Sequence, residues 1–270
     1  MASYSYSRML RHEAESGIPI KSAEEVKLMR ETCTRAAQVL EEMAQNTAPG
    51  MTTYDLDRLG KRVMEKLGVE SACFGYPGSK GTFPSYTCIS VNDEVVHGIG
   101  DLNRVIQDGD VVSLDVVVRY NGYVGDNART VIVGQGSEKN QRLLDTTREA
   151  LMKGIDKAVK GNRIGDVSFT IQKYVEKSGY SVIREFVGHG VGVDMHEEPQ
   201  IPNYGRRHTG PMIQPGMTLA IEPMVNMGRK DVRILDDGWT VVTTDGLPSA
   251  HFEHTVLVLT DGVEILTNLK

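Results

Sequence analysis

The stretch 111–133, VVSLDVVVRYNGYVGDNARTVIV, constrains this chain more than any other. Two apolar, β-branched runs flank Asn121-Gly122, a dipeptide suited to the left-handed positions of a two-residue hairpin turn. A turn there sets Tyr120 opposite Tyr123, Val117 opposite Asp126 and Asp115 opposite Ala128. Side chains alternate across a strand, so Asp115, Val117, Asp126 and Ala128 are predicted to share one face. The two aspartates then lie diagonally, roughly 7–8 Å apart at the backbone, within joint reach of one small object. An ionised carboxylate in an apolar strand is unfavourable unless something positive meets it. No Lys or Arg is expected on that face, and one metal ion or a pair would supply the missing charge. Taken singly, one aspartate reads as a strand end and the other as a turn cap; taken together they point to a cation.

The rest of the chain must then supply further ligands. Its 270 residues can bury a full core, as one large domain or two smaller ones. With 40% hydrophobic and 24% charged residues, the composition is that of an ordinary soluble globular protein. A formal charge of -6 argues against a nucleic-acid surface, which would want a basic stripe. No apolar run approaches the roughly 20 residues of a membrane helix. The opening MASYSYSRMLRHEAESG lacks the basic-then-apolar pattern of a secretory signal. Cys33, Cys73 and Cys88 form neither a disulfide framework nor a C-x-x-C pair, so a reduced, cytoplasmic protein is expected.

Residues 1–20 are polar and aperiodic and read as a flexible arm before a single domain spanning 21–270. Ser22 and Glu25 form a capping box that opens a helix with the stripe Val26, Met29, Cys33, Ala36, Leu40 and Met43. A second helix is predicted over 53–66, closed by Gly68, and a third over 139–159, followed by a shorter one closed by Gly179. Sliding 50–68 forward by 111 positions lays Gly50, Asp55, Glu65, Lys66 and Gly68 on Gly161, Asp166, Glu176, Lys177 and Gly179. With the repeated order of long helix, short helix and strands, this suggests two related halves. Strands are predicted over 71–76, 86–91, 181–187, Thr218–Ile221, 240–243 and 251–260, with a closing hairpin around Asp261-Gly262.

Candidate ligands recur at strand ends. His189 is bracketed by glycines in VGHGVGVDMHEEP, which lets the backbone approach a bound object, and imidazole is a common metal ligand. Glu222 follows an apolar strand in TLAIEPM, and Glu253 opens one in AHFEHTVLVL. Both share the aspartates' difficulty of a charge beside an apolar run. Asp115, Asp126, His189, Glu222 and Glu253 form a hard, oxygen-rich set without thiolate. It suits Mn, Fe(II), Co or Zn in five- or six-fold coordination better than a tetrahedral structural zinc. Bridging carboxylates would allow two ions about 3.5–4 Å apart.

The ordered motifs NDEVVHG, SLDV, GYVGD, GHGVG, MHEEP, IEPM and FEHT resemble those of a type I methionine aminopeptidase, from about Lys21 to the chain end. The resemblance implies the α/β pita-bread fold, two pseudo-symmetric halves around a curved, mainly antiparallel sheet. It also implies a dinuclear centre on the five residues above. His97 falls on the family histidine beside the scissile nitrogen and His196 on the one that contacts the substrate carbonyl; taken as bare residues, each is equally open to a polar structural role. By the same resemblance Cys73, Tyr76, Phe83, Cys88, Met195 and Trp239 line the methionine pocket, where a thioether gains contact with aromatic rings. Met195 departs from the aromatic residue common there, and His251 stands where many relatives carry Gln. His251 is expected on one strand face with Glu253, and His254 on the other.

The activity implied is hydrolytic removal of the initiator methionine from nascent polypeptides with a small second residue, by a monomer. Glu222 would shuttle the proton. The fold and ligand set are shared by proline-specific aminopeptidases and prolidases, which carry a sizeable extra N-terminal domain. A metal-free relative that binds ribosomes or RNA is a third reading, against which the intact ligands and acidic charge weigh. Transient ribosome contact fits an enzyme acting on nascent chains.

Overall fold

The computed structural model describes residues 12–13 and 17–269. Most of the arm, 1–11 and 14–16, lies outside the described residues. Within 17–20, Ile18 is buried in the core and Pro19–Ile20 pairs with His12–Glu13.

Nine strands form the main sheet: β1 (Glu70–Ser71), β2 (Cys88–Val91), β3 (Val111–Tyr120), β4 (Tyr123–Ile132), β5 (Gly188–Gly190), β6 (Glu197–Ile201), β7 (Thr218–Ile221), β8 (Glu253–Leu259) and β9 (Gly262–Ile265). Their order is β6-β5-β7-β8-β4-β3-β1, with β9 against β8 and β2 against β3, and every pairing is antiparallel. The hairpin takes the predicted register, with Tyr120 opposite Tyr123, Val117 opposite Asp126 and Asp115 opposite Ala128. Asn121 and Gly122 have φ of 48° and 82°, the positive pair a two-residue turn of this hand requires. Arg119, by strict alternation, does share the Asp115 face, contrary to expectation. It leaves the aspartates unneutralised because its Nη1 donates to the Val193 carbonyl at 2.8 Å.

Helices α1 (Ala23–Asn46) and α2 (Thr53–Leu67) cover one half, and α3 (Glu138–Ile155) and α4 (Ile164–Lys177) the other. Val112, Leu114, Val116 and Val118 pack beneath α1 and α2 with Val39, Leu40, Met43 and Leu56. Leu143, Leu151, Val167 and Ile171 form a second core with Leu219, Ile221, Val256 and Val258. By register both cores lie on one face of the sheet, while on the hairpin's other face Val117 and Val124 pack with Cys73, Phe83 and Cys88. Covered on both sides, the hairpin reads as near-continuous apolar runs.

The repeat is physical. Asp55 closes a capping box with Thr52, and Asp166 makes the same reach back to the Arg163 N–H, each carboxylate accepting at 2.9 Å, though the Arg163 side chain returns no bond. Each helix entry also docks on a returning segment, through isolated bridges Thr52–Val105 and Arg163–Met212.

Four predicted strands end differently, that over 181–187 stopping at Val182. Over 71–76 the strand stops at Ser71, whose Oγ accepts from the N–H groups of Cys73 and Phe74 at 3.1 and 3.0 Å and turns the chain away. The run 251–260 is split at Phe252: Ser249–His251 pairs with Met224–Asn226, while β8 joins the main sheet. His251 and Glu253 thus lie on different strands. In the closing hairpin Leu259 faces Gly262, so the turn is Thr260-Asp261, one residue earlier than expected.

Candidate metal centre

Five elements side by side, β5, the end of β7, β8, β4 and β3, carry the five predicted ligands in the order His189, Glu222, Glu253, Asp126 and Asp115. Register fixes their levels: His189 stands opposite Ala220, Glu253 opposite Ala128, and Ala128 opposite Asp115. All five face one cavity of about 270 Å³. Ligand atoms of Asp126, His189 and Glu253 lie within 4.8 Å of one another. Glu222 Oε1 is 3.4 Å and Asp126 Oδ2 3.9 Å from His189 Nε2.

The electrostatics call for a cation. Burial, then mutual repulsion, pushes the carboxyl of Asp115 up to about 6 and those of Asp126 and Glu253 well above the usual carboxylate range; burial pushes Glu222 up to about 8. Asp115 Oδ1, Asp126 Oδ1 and Glu253 Oε1 are shielded from solvent without a hydrogen-bond partner. Burial pulls His189 down to about 4, so the ring is neutral near pH 7. Its Nδ1 lies 3.0 Å from the Gly190 carbonyl, and a proton held there leaves the Nε2 lone pair facing the carboxylates. Orphaned hard oxygens around a neutral imidazole fit divalent metal.

His97, His196 and the six pocket residues line the same cavity. His97 adopts a left-handed φ of 60° and meets Phe186 edge-on at 5.4 Å. His196 packs edge-on against His189, ring centroids 4.5 Å apart, and Tyr76 Oη lies 3.0 Å from its Nδ1. Phe83 and Trp239 pack edge-to-face at 5.2 Å. Cys73 and Cys88 are buried free thiols. A Cβ on Gly78 would come within 2.3 Å of the Trp239 ring. Gly78→Ala should therefore displace the chain's single tryptophan and shift its emission; an unchanged spectrum would count against this packing.

Val96, Phe186, Val187 and Met224 also line the cavity and were not predicted. Phe186 and Val187 sit in the apolar run just before His189, and Met224 two residues past Glu222, so proximity to a ligand was the available signal. His251 lines the cavity too, with Nε2 buried, unpartnered and 3.5 Å from Glu222 Oε2. His254 is turned elsewhere, its Nδ1 2.9 Å from Thr267 Oγ1.

Residues 27–260 match the model of metallopeptidase family M24. The chain belongs to that family. An M24 relative, methionine aminopeptidase 1 of Bacillus subtilis, is 46% identical over 92% of this chain and 98% of its own length. The crystal structure of methionine aminopeptidase from Thermotoga maritima superposes with a TM-score of 0.89 at 46% identity, covering 93% of this chain and all of that one. Prolidase from Pyrococcus furiosus shares the fold, with a TM-score of 0.74 at 23% identity, and this chain spans 66% of it. The M24 chain thus has the pita-bread architecture and stands with the type I methionine aminopeptidases.

Proposed function

We propose that this protein hydrolytically removes N-terminal methionine from nascent polypeptides with a small second residue, using two divalent ions. The observation that carries the reading is one cavity lined both by the five ligand residues and by thiols, Met195 and aromatic rings. The apolar lining suits a flexible thioether, and relatives 46% and 47% identical to this chain are methionine aminopeptidases. Residues 21–270 form the catalytic unit in this reading.

Asp115, Asp126, His189, Glu222 and Glu253 would hold the ions. When bound, divalent ions supply Lewis acidity and water of lowered pKa. Glu222 takes up a proton and returns it to the leaving amine, as base and then acid. His196, steadied by Tyr76, donates to the oxygen that gains charge at the scissile carbonyl, and His97 steadies the departing nitrogen. The buried walls keep bulk water from these groups.

The metal's identity follows availability among Mn, Fe(II), Co and Zn. Among the described residues no helix is long and apolar enough to cross a membrane. A cytoplasmic monomer that meets nascent chains through transient ribosome contact, without stable nucleic-acid binding, is part of the proposal.

A peptide panel tests it by mass spectrometry, with metal-stripped protein resupplied with each ion. Met-Ala-Ser should lose methionine, while Met-Lys-Ser, Leu-Ala-Ser and Ala-Pro-Ala stay whole. Cleavage of Ala-Pro-Ala instead would move the protein to the proline-specific branch.

A further inference from the structure

Lys21 and Glu197, 176 positions apart, form an ion pair with Nζ 2.5 Å from Oε2 and each side chain only 4% exposed. Neither lines the cavity. The other oxygen of the same carboxylate, Oε1, accepts from the backbone N–H groups of Val193 at 2.9 Å and Asp194 at 3.3 Å. These bonds close a turn whose remaining members are Met195 and His196. The turn is also tied to the metal-bearing hairpin: Arg119 donates to the Val193 carbonyl at 2.8 Å, and the Val124 N–H to that of Gly192 at 2.7 Å. Lys21 is itself fixed, its N–H donating to the Gly216 carbonyl at 2.8 Å. A Cβ on Gly192 would come within 2.5 Å of Lys21 Cε and 2.7 Å of Glu197 Oε1, so the pair fills the space behind the turn.

We propose that Lys21 and Glu197 are positioning residues for catalysis, holding the turn so that His196 points at the substrate carbonyl; this rests on the role given to His196 above. A buried carboxylate that loses its partner cation seeks water. In Lys21→Met the Glu197 carboxylate would then swing outward and release the N–H groups of Val193 and Asp194. The metal ligands come from other elements and would stay in place. The segment preceding α1 thereby becomes part of the working site.

The test is a double-mutant cycle on the metal-loaded enzyme, reading kcat and KM for Met-Ala-Ser. Lys21→Met should lower kcat by about 10²-fold, the loss typical of a catalytic group displaced by an ångström, with Mn²⁺ affinity unchanged by calorimetry. Combined with His196→Ala, it should cost little beyond His196→Ala alone, because the pair acts through that ring. Full-sized, additive losses would overturn the proposal, as would an unchanged kcat in folded Lys21→Met or a parallel fall in Mn²⁺ affinity. Should Lys21→Met not fold, Glu197→Gln carries the same cycle. If His196→Ala alone leaves the rate intact, the role of His196 and this inference fall together. If it slows the enzyme while Lys21→Met does not, only the inference falls.

Discussion

Asp126→Asn should lower the rate on Met-Ala-Ser by at least about 10³-fold at saturating Mn²⁺, since a metal ion contributes several kcal/mol of transition-state stabilisation. The same substitution should leave the metal-free protein as stable as the parent or more so. Asp126 is 4% exposed, and Asp115 and Glu222 both disfavour its charge. A neutral amide of the same shape carries neither that buried charge nor the need to bind a proton to relieve it. Thermal melts with and without Mn²⁺ check this. The parent should gain stability on adding the ion, and the variant should gain little from a higher metal-free baseline. A variant that melts well below the parent in chelator would show that Asp126 serves the fold rather than a cation.

The pH dependence of stability should reverse sign when metal is added. In the metal-free protein, burial holds Glu222 up to about 8 and Asp115 up to about 6, and raises Asp126 and Glu253 well above the usual carboxylate range. The folded state then binds more protons than the unfolded one, and stability falls as pH rises above the ordinary carboxylate range. Histidines act oppositely. His97, His189 and His254 are held down to about 4, and His196 and His251 are lowered, so they favour folding as pH rises from about 4 to 6.5. Unfolded-state imidazoles finish losing their protons about one pH unit above 6.5, and beyond about pH 7.5 the carboxyls set the slope. Between pH 7.5 and 9 the metal-free protein should lose roughly 1 kcal/mol through Glu222 alone. With excess Mn²⁺ the ligands are deprotonated on binding, affinity climbs with pH, and so should stability. Urea midpoints across this window, in chelator and in Mn²⁺, measure both slopes; two slopes of one sign would contradict the cluster as described.

Much of this molecule was legible because strong local rules happened to coincide with the fold. Asn121-Gly122 and period-two alternation gave the hairpin register, and the caps at Asp55 and Asp166 gave the two halves. Reading failed where the deciding partner was distant. Nothing local says that Ser71 Oγ will capture two N–H groups, or that the chain will change sheets at Phe252. Arg119 belonged to the aspartate face by parity, and only the Val193 carbonyl explains why it does not pair there. Phe186 and Met224 look like any core side chain until the cavity is seen. The Lys21–Glu197 pair has no sequence pattern at all.

The five ligands straddle the seam between two separate cores, Asp115 and Asp126 from one side and His189, Glu222 and Glu253 from the other. A cation gripping Asp126 and Glu253 together therefore closes a chain loop close to half the protein's length. Loops that long restrict an unfolded chain most when pinned. On the proposed function a filled centre is thus also a reversible cross-link, reinforcing the β8–β4 pairing that already joins the two halves.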